Sequence, residues 1–181
     1  ASGFQSHQFR KLEVMLGLKI KQRHQIGGCP YHSQFEGDKK QEILNLEEGD
    51  SLFTLAEKWL ERIPFLNMEG FDFTKKYEGA VNEMLAKEIA GIKSANLTEE
   101  DRTLRIRMID ENRKYFERVL DEKIHNKAIE SGETALSYKA TMSALLISLY
   151  RDEPILHLPY QLLRSLVEMD HKIATWRFRH V

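Results

Sequence analysis

The sequence predicts an all-α helical bundle, and three observations carry that reading. No proline falls between Pro64 and Pro154. The residues between them are rich in Leu, Glu, Lys, Arg and Ala, which lose little on entering a helix. Apolar residues recur there three and four positions apart, the spacing that gathers side chains on one helical face. At 181 residues the chain is long enough to bury roughly 70% of the surface its unfolded form exposes. No internal repeat or low-complexity tract marks a boundary, so one helical domain over residues 1–181 is expected.

The first helix has a capping box, Ser2 followed three residues on by Gln5, and stops at Gly17. Its inward face is expected to carry Phe9, Leu12 and Leu16. Residues 18–50 hold Gly27-Gly28, Cys29-Pro30, Gly37 and Gly49-Asp50, turn chemistry that predicts a connection with at most a short helix. A second helix is capped by Asp50/Ser51, shares one face among Leu52, Leu55 and Trp59, and stops at Ile63-Pro64. Pro64 to Phe73 reads as loop. Tyr77, Val81 and Met84 mark a third helix ending before Asn96. Thr98 with Asp101 opens a fourth, with Met108, Tyr115, Phe116 and Val119 as its apolar stripe and Ser131-Gly132 as its end. The stretch from Ser137 to Tyr150 has almost no polar side and belongs in the middle of a bundle. A last helix is expected to begin near Pro159.

Charge and cysteine content exclude several function classes. A formal net charge of -1 gives no global field that favours nucleic acid or an anionic membrane. No secretory segment is expected from the first residues, and no run of about 18 apolar residues could span a bilayer. Cys29 is the only cysteine, so no disulfide frames the fold, and a cytoplasmic location fits best.

On the last helix Leu162, Leu166, Met169, Ile173, Trp176 and His180 fall within about 40° of one line. An imidazole centred on an apolar stripe has two readings. It is a core histidine hydrogen-bonded to a neighbouring helix, or it ligates the metal of a flat apolar cofactor such as heme. Periodicity leaves both open. The chain stops at Val181 with that face still running, and Ala1 lies just before the capping box. The fold is therefore expected to be completed by sequence on both sides.

Other metal constellations are weaker. Glu122/His125 and Glu168/His171 form Glu-x-x-His pairs, the di-iron carboxylate pattern. His171 and Glu168 point well away from the apolar stripe, and His125 lies far from that of Val119, so none is expected to face a bundle core. Cys29 and His32 with His24 upstream offer zinc ligand types, but a second pair is absent. No Walker, Gly-x-Gly-x-x-Gly, Gly-x-Ser-x-Gly or Cys-x-x-Cys-His motif occurs.

The two ends of the chain carry a family resemblance. Ser2-Gly3-Phe4-Gln5-Ser6 with Gln8-Phe9-Arg10 resembles the Ser-Gly-Phe-Gln-Ser segment of tryptophan 2,3-dioxygenases. Trp176-Arg177-Phe178-Arg179-His180-Val181 resembles that family's Trp-Arg-aromatic-x-His-Val segment. Between them Trp59-Leu60-Glu61-Arg62, Gly70-Phe71, Leu136-Ser137-Tyr138, Tyr150-Arg151-Asp152-Glu153-Pro154 and Gln161-Leu162-Leu163 follow in the family's order.

This resemblance implies a mostly helical, cytoplasmic homotetramer that uses heme b to insert dioxygen across the indole C2–C3 bond of L-tryptophan, giving N-formylkynurenine. His180 matches the proximal iron ligand, Ser2 and Gly3 match the stretch lining the pocket by heme and substrate, and Trp176 matches a heme-edge residue. Trp59, Arg62 and Pro64 match a second, non-catalytic tryptophan site, although Ile63 and Phe65 stand where the family usually has Thr and Gly. The family's distal histidine and substrate-carboxylate arginine precede the first segment, and a Gly-rich substrate loop follows the last. No catalytic residue is therefore expected within these 181 residues, which should need the remaining segments of the enzyme for turnover. The rival from another class is a non-enzymatic helical module that binds a partner or plays a structural role.

Overall fold

A computed structural model describes residues 7–17, 32 and 35–179, without the side chains of 177–179. The described residues are almost wholly helical, as expected. In chain order they form α1 (His7–Leu16), α2 (Gly37–Glu47), α3 (Leu52–Glu61), a 3-10 turn (Pro64–Leu66), β1 (Asn67–Met68), β2 (Phe71–Asp72), α4 (Phe73–Ser94), α5 (Glu99–Leu120), α6 (Glu122–Glu130), α7 (Tyr138–Leu149) and α8 (Pro154–Arg179). The chain divides into two compact units, one of residues Ala1–Leu60 with Ile147–Val181 and the other of Glu61–Leu146.

In the first unit α1 packs against α2. Gly17 ends α1 at φ +71, and a Cβ there would lie 2.8 Å from that of Ser51 and 2.9 Å from that of Phe53, so both conformation and space demand glycine. The buried side of α1 is Arg10, Glu13 and Val14, whereas Leu12 is exposed, which rotates the expected inward face. The reason is an ion pair: Arg10 donates to Glu13 at 2.6 Å, and the two charges, 3% and 0% exposed, neutralise each other. Helix α2 was expected to be at most short. It runs 11 residues, yet Ile43 is its only buried residue, so it leaves no apolar period in the sequence. Ser51 caps α3 as expected, its hydroxyl accepting from Thr54 N–H. Leu60 rather than Leu55 is its buried residue. Helix α8 starts at Pro154, not Pro159. Pro fits an opening turn, where its missing N–H has no intrahelical partner to lose.

In the second unit α4 and α5 form a helical hairpin with Val81, Leu85, Ile92 and Ile109 at its core and Tyr77, Phe116 and Leu120 packed against them. Asp72 caps α4 and Thr98 caps α5. The segment expected as loop contains the two-residue ladder of β1 and β2, turned at Gly70 with φ +74.

The long fourth helix is two helices. Asp121 leaves helical geometry at φ -86 and ψ 112, and its carboxylate accepts from Lys123 and Ile124 N–H to start α6. That break resets the helical phase. His125, expected outside the core, is 2% exposed, with Nε2 3.0 Å from the Leu136 carbonyl and Nδ1 3.3 Å from that of Arg118. Met108 and Tyr115, expected in the inner stripe of α5, are instead exposed, because Ile109 and Phe116 take that side.

Candidate functional site

One described residue from each terminal segment meets the other. In the first unit Phe9 of α1 and Trp176 of α8 form a tilted ring pair with centroids 4.8 Å apart. One turn along α1 from Phe9, the Arg10–Glu13 pair and Val14 are buried. Of the apolar stripe expected on α8, Leu166, Met169 and Ile173 are half-buried, while Leu162 and Trp176, 38% accessible, are exposed. Glu168 and His171 are exposed, and Glu168 accepts from Arg164 at 2.9 Å. Where α1 and α8 meet, Phe9 and Trp176 thus present aromatic surface.

On the far side of α1, Lys11 donates to Glu42 of α2 at 2.9 Å, and that hydrogen bond and charge hold the Glu42 carboxyl below its ordinary value. His7 Nε2 lies 2.9 Å from the Lys39 carbonyl. These contacts hold α1 against α2, and with it the side chain of Phe9.

Ser2, Gly3 and His180 lie outside the described residues, as do Cys29 and His24. By sequence His180 follows Trp176 by four positions, about one helical turn. Trp59 is half-buried on α3, while Arg62 and Pro64 are exposed after its end. Trp59 belongs to the first unit and the other two to the second. Among the described residues no group of three or more His, Cys, Asp or Glu could hold a metal ion, and no helix is long and apolar enough to cross a membrane.

Sequence reasoning missed Phe9 as the ring partner of Trp176, having placed it only in the packed face of α1. It also missed the Arg10–Glu13 pair. Opposite charges three residues apart in a helix were a usable signal for the pair. For Phe9 the signal was its place in the first family-like segment.

Fold and site together define an all-α protein whose first and last described helices meet through paired aromatic rings. Comparison with known proteins makes this specific, because the family model described as tryptophan 2,3-dioxygenase matches residues 1–181. The chain belongs to the tryptophan 2,3-dioxygenase family. It is 40% identical to a tryptophan 2,3-dioxygenase of Bdellovibrio bacteriovorus over 99% of this chain and 50% of that protein. It is likewise 40% identical to one of Dictyostelium discoideum over 99% of this chain and 45% of that protein. A Rattus norvegicus relative of the same name is 39% identical over all of this chain and 44% of its own length. The chain spans about half the length of the curated relatives it matches.

Proposed function

We propose that this chain forms the proximal part of a heme-dependent tryptophan 2,3-dioxygenase that converts L-tryptophan and dioxygen to N-formylkynurenine. The supporting observation is the Phe9–Trp176 contact, which joins the two segments carrying the strongest family resemblance. Both oxygen atoms enter the product across the cleaved C2–C3 bond, so all atoms are retained and no external reductant is consumed.

The described seam fits a planar apolar group. Phe9 and Trp176 offer aromatic surface, Met169 and Ile173 lie along the same stripe, and the exposed Glu168 and His171 point elsewhere. Heme, when bound, supplies the iron that activates dioxygen. His180 would hold that iron through one imidazole nitrogen, and an acceptor on its other N–H would fix the tautomer. Trp176, which the resemblance matches to a heme-edge residue, would offer its ring to that group. By the family resemblance Ser2 and Gly3 match the stretch lining the pocket, where they would meet a carboxylate or heme propionate. The residues that act on substrate come from the remaining segments of the enzyme, and the assembly is a cytoplasmic homotetramer. By the family resemblance Trp59, Arg62 and Pro64 match a second tryptophan site, and Arg62 and Pro64 are exposed.

The test is product formation by the complete protein given ferrous heme, L-tryptophan and dioxygen. N-formylkynurenine is expected there, and none from the 181-residue chain alone. Heme binding without product, and without a tryptophan-dependent change in the heme spectrum, would make it a heme protein of another activity. Absence of heme binding would return it to a non-enzymatic helical module.

A further inference from the structure

Helix α5 carries a second apolar stripe that the hairpin with α4 does not use. At about 100° per residue, Leu104, Met108, Glu111 and Tyr115 share an arc of roughly 60°, centred some 130° from the buried Ile109, Phe116 and Leu120. The three apolar members are 54%, 56% and 60% exposed. Their spacing of four, three and four residues is that of a coiled-coil seam. At one end of the stripe Glu99, Glu100, Thr103, Leu104 and Arg107 line an open recess of about 370 Å³. At the other end stands its only aromatic ring, Tyr115.

We propose that this face pairs with α5 of a second copy of the chain, antiparallel, about a two-fold axis between Ile109 and Asp110. The ring and the recess lie at similar distances from that axis on opposite sides. One two-fold operation therefore seats each Tyr115 over the recess of the other copy, against Leu104, the aromatic-in-pocket arrangement that dominates interface energies. The charges follow the same symmetry. Arg107 comes beside Glu111 of the second copy, covering the one carboxylate in the seam, and Glu100 comes opposite Arg118. Lys114 sits on the outer edge, where a long side chain keeps its ammonium in water. Like the repeated Glu100–Arg118 pair, every contact occurs twice, which closes the assembly at two copies through this face. The inference uses residues of the second unit only and is independent of heme.

The test uses the protein purified as its complete chain. With Cys29 and any cysteine outside these residues replaced by serine, a Leu104→Cys/Tyr115→Cys variant is expected to form a disulfide-linked dimer under mild oxidation. Within one helix these positions are about 16 Å apart and cannot join to each other. Either cysteine alone should cross-link far less, because each lies far from its own copy across the axis. Met108→Glu should roughly halve the mass measured by light scattering while leaving the helical circular dichroism and heme spectrum unchanged. Double-cysteine cross-linking no greater than that of the single variants, or a native mass for Met108→Glu, would overturn the proposal. A changed heme spectrum with unchanged mass would also count against it.

Discussion

The contact between Phe9 and Trp176 should behave as a measurable coupling between α1 and α8. Full burial makes Phe→Ala cost about 3–5 kcal/mol. Phe9 is half-buried, so Phe9→Ala is expected to cost about 2 kcal/mol. Trp176, 38% exposed, should lose a similar amount on Trp176→Ala. The centroid separation of 4.8 Å and the tilted geometry fall within the range where aromatic pairs add about 0.5–1.5 kcal/mol beyond area burial. The double variant should therefore be less damaging than the sum of the singles by about 1 kcal/mol. Urea unfolding followed by far-ultraviolet circular dichroism gives all three differences without relying on Trp176 fluorescence. Additivity within about 0.3 kcal/mol would refute the reasoning, because residues without a shared contact add to that tolerance.

Two further perturbations probe the second unit. Replacing the buried His125 by Phe keeps an aromatic ring beside Tyr138 but removes the ring nitrogens that face the Leu136 and Arg118 carbonyls, and with them the N–H donor to one of these. A loss of about 2 kcal/mol in urea stability is expected, and an unchanged midpoint would contradict this role. Burial first, and then the nearby Glu122 charge, raise the Tyr138 hydroxyl above its ordinary 10.0. Above pH 10 the unfolded chain therefore loses this proton before the folded chain does, and stability must fall as pH rises. Tyr138→Phe should make that alkaline slope shallower while costing about 1 kcal/mol at neutral pH for the hydrogen bond to Leu120. A slope identical to that of the unaltered protein would contradict the assignment.

The helices were largely legible where an apolar period or a cap was strong. Ser51, Thr98 and Ser137 each cap a helix in the structure, and Ser51 and Thr98 are readable as caps from sequence. What escaped was decided by single residues acting against a continuous pattern. Asp121 has good helical neighbours on both sides, yet its carboxylate competes for the N–H groups of Lys123 and Ile124, breaks the helix, and turns His125 inward. Helix α2 buries one residue, so its partners on α1, not a period of its own, hold it. On α1 the ion pair took the inner side that hydrophobicity alone assigned to leucines. The candidate site was legible as two short segments at opposite ends of the sequence. Their meeting at Phe9 and Trp176 depends on tertiary packing, which no local spacing encodes.

The central claim, that His180 ties a heme to this chain, is tested most directly by absorption spectra of the complete protein with ferrous heme, native and His180→Ala. The account predicts a histidine-ligated spectrum for the native protein and loss of that ligation in the variant. An unchanged spectrum in His180→Ala would contradict it and move the iron ligand elsewhere.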